Sequence, residues 1–376
     1  MTLKNDNPSF VLHGVYNTQF DERPIPELEG DEVLVAIAKT GICGSDVHYL
    51  QHGKIGHFVV EEPMCLGHES AGTIVKLGPK VPADAGVAVG DRVALEPGHG
   101  CRTCVQCKGG HYELCPKMTF AATPPFIYGT LCRYFKIPFD YVYKLPENVT
   151  FEDGALLEPL TVSVHALYNL GGIRGNDTVL IFGAGPVGLL CMATAKALGA
   201  RRVIAVDIQK DRLDFAKEYA ASDVFLPPSK NEGEDNEAYS ERFASALRAE
   251  LKVPASGPGS IDLVVDATGA PVCIGAGLHA LRPSGTFVQV GMGPSTVPIP
   301  MFIVVAKQLK IIGSFRYGEG DYQTALSLVE RGLVDLKPLV THRYKFEDAL
   351  DAFKLTQAGK DANGKAVIKV IIDGPQ

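Results

Sequence analysis

The stretch Val179–Ala195, VLIFGAGPVGLLCMATA, constrains the fold of this chain more than any other. It is almost wholly apolar, yet a glycine-proline break divides it and it is a little short to cross a membrane. It reads instead as a buried strand, a tight turn and a buried helix. Gly183, Gly185 and Gly188 form G-x-G-x-x-G directly after the strand, the context that gives this motif its meaning. Gly183 makes the turn, Gly185 lets a pyrophosphate approach the backbone, and Gly188 allows close helix–strand packing. The helix N-terminus, opening at Pro186, then faces the phosphates. Further on, the apolar run Val203–Val206 ends in Asp207. A carboxylate there accepts hydrogen bonds from ribose hydroxyls and repels a 2′-phosphate, which favours NAD over NADP. Ile208 offers no charge to a phosphate, whereas Arg212 could lie at the adenine end.

Strand and helix signals keep alternating around this motif: a helix through Ala200, the strand Val203–Val206, a helix from Gln209 to about Ala221, then strands in Ile261–Gly269 and Gly285–Gly291. That alternation predicts a doubly wound parallel α/β sheet. Leu160–Leu170 has helical periodicity and stops at Gly171-Gly172. The charged segment Pro227–Gly259 interrupts the pattern and reads as a solvated insertion, its second half an amphipathic surface helix. Before about residue 160 the chain is different. Short β-like runs at Glu32–Thr40, Ala71–Gly78 and Asp91–Gly98, set off by glycine and proline, predict a compact all-β or α+β unit. After about 300 the character is mixed, with a helix near Asp321 and a final strand in Ala366–Asp373. No internal repeat or low-complexity tract is present.

Charge narrows the function. With 36 basic against 43 acidic residues and no long basic run, nothing supports nucleic-acid binding. The start, MTLKNDNPSF, lacks the pattern of a secretory signal, and no membrane role is expected. The expected setting is cytoplasmic, where clustered cysteines are metal ligands more often than disulfides. Cys101, Cys104, Cys107 and Cys115 form C-x2-C-x2-C-x7-C, which matches a closed tetrahedral zinc site. Gly98, Gly100, Gly109 and Gly110 let the backbone wrap tightly there. Nearby basic residues are few (Arg102, Lys108, Lys117), which speaks against a zinc module for nucleic acid. His99 and His111 flank a shell that four cysteines already complete.

A second set is open. Cys43 in GICGSDVHY and the pair His68-Glu69 in GHES supply one sulfur, one nitrogen and one carboxylate, leaving a tetrahedral position for water or substrate. Such an ion lowers the pKa of a bound hydroxyl. Glu158, in the apolar LLEPL, is a candidate exchangeable fourth ligand or outer partner, or a cap on the following helix. Ser45 and His48 could carry a proton to solvent, or be ordinary structural polar groups.

Taken together, GICGSDVH, LGHESAGTIV, the four-cysteine loop, LLEPLTVSVHA, VLIFGAGPVGLL and GSFRY resemble the zinc-containing medium-chain dehydrogenases over nearly the whole chain. Within them the chain resembles the polyol branch, the sorbitol and xylitol dehydrogenases. GHFVVEEPMCLGHESAG, MTFAATPP, YGTLCRYFK and THRYKF are most similar to the fungal xylitol enzymes, some of which lack the four-cysteine loop. The resemblance implies a chaperonin-10-like (GroES-like) β-barrel catalytic domain from residues 1–160 and 301–376, with a Rossmann domain of 161–300 inserted, in a homotetramer. It implies catalytic zinc on Cys43, His68 and Glu69 with Glu158 close by, and structural zinc on the four cysteines. It places the polyol near Ser45, Tyr49, Phe58, Phe120, Arg316 and Tyr317. It places NAD on Gly183–Gly188 including Pro186 and Val187, and on Asp207, Ile208, Arg212, Thr268, Val290, Gly291, Phe315 and Arg316. The implied reaction is xylitol + NAD+ to D-xylulose + NADH. L-arabinitol 4-dehydrogenase and sorbitol (L-iditol) 2-dehydrogenase are the neighbouring activities. A zinc-stabilised nucleotide-binding protein without turnover is the alternative of a different class.

Overall fold

The computed structural model describes residues 4–376. Two compact units emerge, one running up to Pro159 and resuming at Gly318–Gln376, the other Leu160–Tyr317.

In the second unit six strands lie in the order Asp223–Phe225, Arg202–Val206, Thr178–Phe182, Ile261–Asp266, Leu281–Gln289 and Lys310–Gly313, every pairing parallel. The central strand Thr178–Phe182, TVLIF, is buried throughout because helices cover both faces of such a sheet. Chain order reverses beside this strand: the chain first steps outward one way, then returns to build the other half. A ligand crevice forms outside the carboxyl ends of the strands at such a reversal.

Two expectations are corrected in this unit. Pro227–Gly259 is not a solvated insertion. It contains the crossover helix Asn236–Leu251, capped by Asp235 accepting the Ala238 N–H, which carries the chain from one strand of the sheet to another. Tyr239, Phe243, Ala244 and Leu247 of its inner face join the sheet's apolar core, and burying Phe243 alone contributes roughly 2 kcal/mol. The amphipathic helix expected in the second half of the segment is therefore present. Its charges occupy the outer face, which is why composition alone gave no sign that its inner face completes the sheet's core. The return to the first unit comes at Gly318, not at residue 301. Residues in between form the helix Met301–Lys307 and the strand Lys310–Gly313, which extends the parallel ladder on Leu281–Gln289.

The helix expected from Leu160 begins earlier, at Phe151, and runs to Val164 with Pro159 inside it. A π-helical segment, His165–Leu170, then ends at Gly171-Gly172, where Gly172 takes φ +60°.

The first unit is built on a seven-stranded sheet in which Glu32–Gly41 is central. One side of that strand pairs with Glu69–Leu77, and the other with Tyr134–Pro138 and then with Lys369–Asp373 from the far end of the chain. All three pairings are antiparallel. Register places Gly41 opposite both Glu69 and Ile371. Residues that begin or follow these three strands therefore gather at one end of the sheet. Among the described residues, no helix is long and apolar enough to cross a membrane.

Candidate active site and its metal centres

Cys43 follows the central strand and caps the helix Gly44–His52, while His68 directly precedes the neighbouring strand and Glu69 opens it. Their ligand atoms lie within 4.8 Å of one another. Gly41 has to be glycine here, because a Cβ on it would run into the Glu69 carboxylate. Gly67, at φ +90°, turns the chain so that His68 faces inward.

Two residues that sequence reasoning passed over hold this set. Asp46, almost fully buried, accepts the Gly67 N–H at 3.1 Å through Oδ1 and the Cys43 N–H at 3.3 Å through Oδ2. Its Oδ2 also lies 3.4 Å from His68 Nδ1, which is buried without a hydrogen-bond partner. Such an orphaned nitrogen fits a ring that a metal would orient onto the carboxylate. Burial alone would push the His68 pKa down, but the Asp46 carboxylate and the Cys43 thiol outweigh it and hold it well above the ordinary value. The same negative field favours a dication.

Lys369 is the other. Its ammonium donates to both oxygens of Glu69, at 2.5 Å to Oε2, and to the Ile42 carbonyl. Burial disfavours its charge, yet Glu69 and Cys43 together raise its pKa. Each had a sequence signal: an acid inside CGSDVH, and a lone lysine in the apolar run VIKVII.

Glu158 stands outside the three-residue ligand group. It is buried on the helix Phe151–Val164, and its charge reaches Lys369 and Tyr322. Ser45 and His48 lie on the helix that Cys43 caps, His48 on the exposed side. The Phe120 ring packs 5.6 Å from that of His68. Tyr49 belongs to an apolar core cluster that Phe58 flanks, and only 2% of it is exposed.

The four cysteines converge as spacing implied, their sulfurs within 4.8 Å of one another. Cys104 and Cys115 sulfurs are 3.8 Å apart, which is the separation that ~2.3 Å bonds from a tetrahedral zinc impose, about 3.8 Å. Backbone N–H groups of Cys101, Cys104, Cys107 and Lys117 point at the sulfurs. A Cβ on Gly100 would come within 2.7 Å of the Cys107 sulfur, so the loop closes on itself there. The Thr103 hydroxyl and nearby amides draw the Cys101 thiol down to about 5, while burial and Cys104 push Cys107 up to about 12. A coordinated dication would hold all four as thiolates. His99 bonds Thr119 and His111 lies beside Glu113, and neither belongs to the ligand group.

The second unit gathers its predicted residues at one edge. Gly183–Gly188, Asp207, Thr268, Val290-Gly291 and Phe315-Arg316 each follow the carboxyl end of a different parallel strand. Gly183 takes φ +95°, and a Cβ on Gly188 would strike the Gly183 carbonyl, whereas one on Gly185 would meet nothing within 4 Å. The open side of Gly185 is where a pyrophosphate could approach. Asp207 accepts the Ala184 N–H at 2.8 Å and the Gln209 N–H at 2.9 Å, which fixes its carboxylate beside the glycine turn. Arg212 sits 4.0 Å from it, and Ile208 is 81% exposed. Asp266, also unforeseen, accepts from Thr268, Gly269 and Gln289 and shapes the edge around Thr268. Arg316 holds a left-handed backbone at φ +55°, with its guanidinium 4.8 Å from the Phe315 ring centre. A non-glycine residue in that conformation carries strain that sites of function tend to retain. Tyr317 is buried.

A closed four-thiol cluster, an open three-ligand cluster and a nucleotide-binding sheet edge in one chain define a zinc-dependent dehydrogenase. Residues 29–147 match the alcohol dehydrogenase GroES-like domain and residues 186–331 the zinc-binding dehydrogenase family. The chain is 49% identical to D-xylulose reductase A of Aspergillus niger, across 100% of this chain and 99% of that protein. The L-idonate 5-dehydrogenase structure of Escherichia coli matches with a TM-score of 0.83 at 28% identity, covering 98% of each chain. A short chain alcohol dehydrogenase of Escherichia coli, solved with its cofactor NADH, matches with a TM-score of 0.84 at 25% identity, covering 98% of this chain and all of that one. The chain belongs to the zinc-containing medium-chain dehydrogenases, in their polyol branch, and works with zinc and a nicotinamide cofactor.

Proposed function

We propose that the chain catalyses xylitol + NAD+ → D-xylulose + NADH + H+. The observation that carries this is the convergence of Cys43, His68 and Glu69, in a chain 49% identical to a D-xylulose reductase over its full length. Zinc held by these three residues would supply the Lewis acidity that lowers the pKa of a hydroxyl, and NAD+ would accept the hydride released from the same carbon.

The chain's own residues do the rest. Asp46 and Lys369 fix the ligands, and Glu158 serves as an exchangeable ligand or as a partner through water. Ser45 and His48 carry the hydroxyl proton outward, since His48 is exposed on the helix that Cys43 caps. Phe58 and Phe120 exclude water from the carbon chain, while Tyr49, Arg316 and Tyr317 recognise the remaining hydroxyls. Asp207 binds the adenosine ribose, and with Ile208 at its side a 2′-phosphate would meet repulsion and no cation, so NAD is the cofactor. Arg212 completes the adenine end beside Asp207. Thr268, Val290, Gly291 and Phe315 line the rest of the dinucleotide.

Each chain holds two zinc ions, one catalytic and one structural. Copies associate into a homotetramer in the cytoplasm. Supporting association, Lys310–Gly313 is the last strand of its sheet, and Phe302 and Val305 beside it are 80% and 67% exposed.

The test is kcat/KM for xylitol, sorbitol and L-arabinitol with NAD+ and NADP+. Xylitol with NAD+ is expected to lead. A lead for sorbitol or L-arabinitol would move the assignment to those neighbouring activities, and no turnover with any polyol would overturn it.

A further inference from the structure

One pair of neighbouring histidines lies outside both cysteine-containing clusters, and only His48 of the two has a role in the proposed reaction. His48 and His52 stand one turn apart on the helix Gly44–His52, the spacing that puts two side chains on the same face. Both are exposed, and their rings are 4.5 Å apart between centres and inclined by 54°. Among the described residues, neither ring makes a hydrogen bond, so the pair has no structural partner to satisfy.

We propose that His48 and His52 form a third metal site, a two-imidazole surface chelate for a divalent first-row transition ion such as Zn2+. Imidazole nitrogens suit such ions, and two of them at ~2.0–2.1 Å from a tetrahedral zinc lie about 3.3 Å apart. Rings centred 4.5 Å apart can present nitrogens at that distance with small side-chain rotations. Burial and the neighbouring His52 both lower the pKa of His48, which keeps its lone pair available near neutral pH. His52 also lies in the last turn of its helix, where the backbone dipole favours a cation. With only two protein ligands the site is weaker than either cysteine-containing cluster, and water fills the other positions. Occupancy would immobilise His48, so excess metal would slow turnover. That consequence, unlike the site itself, rests on the proton-carrying role proposed for His48.

The experiment is titration of Zn2+ into zinc-replete holoenzyme, followed by calorimetry and by turnover, for the wild type and for His52→Gln. His52 is exposed and outside the reaction machinery, so the variant keeps its fold and its basal activity. A third equivalent is expected in the wild type, weakened in His52→Gln by at least the ~10-fold that losing even a supporting partner costs. Retention of the untagged protein on immobilised Ni2+ should fall in parallel. No third equivalent, or one that His52→Gln leaves unchanged, would overturn the site. Binding that His52→Gln weakens but that leaves turnover untouched would support the site and remove the role given to His48.

Discussion

Replacing Asp46 by Asn changes one oxygen to nitrogen and tests how the open site is held. In the wild type the two carboxylate oxygens accept the Gly67 and Cys43 N–H groups and face His68 Nδ1 at 3.4 Å. Asn keeps one acceptor and turns its NH2 towards a donor, so one buried N–H loses its partner at a cost of about 1–3 kcal/mol. The negative charge that favours a cation beside His68 disappears as well. Loss of an outer partner to a metal-bound histidine weakens metal binding roughly 10- to 100-fold, about 1.4–2.7 kcal/mol. Competition of the purified enzyme with a chromophoric chelator measures this directly. The zinc proposed on Cys43, His68 and Glu69 should leave at a lower chelator concentration than in the wild type, while any zinc held by the four cysteines is unaffected. The loss of kcat/KM should follow zinc occupancy and recover on adding zinc. If Asp46→Asn retains both ions with wild-type affinity, the carboxylate does not organise the ligands and the reasoning fails.

Three other perturbations separate the remaining parts. Burial raises the Glu96 pKa from 4.5 to about 8, although the Tyr112 and Tyr143 hydroxyls bonded to it favour its charged form. The folded state therefore keeps a proton that the unfolded state has lost, and this contribution to stability fades as pH rises through that window, by up to about 1.4 kcal/mol per unit. Glu96→Gln should flatten the decline of Tm with pH, and an unchanged profile would count against it. Asp207→Ser combined with Ile208→Arg should raise the NADP+ to NAD+ ratio of kcat/KM about tenfold or more, since it removes the repulsive acid and adds a phosphate partner; an unchanged ratio would refute the placement of the ribose. Cys104→Ser should lose the four-cysteine zinc and lower Tm, with kcat for the remaining folded enzyme close to wild type; a selective collapse of kcat would mean that this cluster takes part in the reaction.

What was legible in the sequence was local. Gly183–Gly188 and the four cysteines carry their geometry in their spacing, because a single turn or loop forms each. Asp207 could be placed because a strand leads straight to it. Convergence of Cys43 with His68 and Glu69 depends on the register of Gly41 against Glu69, which spacing alone does not encode. Lys369 is harder still, since it reaches Glu69 across 300 residues of chain. The charged helix Asn236–Leu251 looked external because its polar face dominates its composition, although five of its residues are buried. The mixed character after about residue 300 and the resemblance placed the exit from the nucleotide unit at 301, yet the chain makes one further helix, Met301–Lys307, and one further strand, Lys310–Gly313, before leaving.

The central claim is that Cys43, His68 and Glu69 hold the zinc on which polyol oxidation depends. Its most direct measurement is NADH formation from xylitol by the zinc-replete enzyme, after removal of the accessible ion by chelation, and after zinc is restored. The account predicts turnover that disappears with that one equivalent of zinc and returns with it, while the four-cysteine ion stays bound throughout. Turnover that persists once the accessible zinc has gone would contradict it.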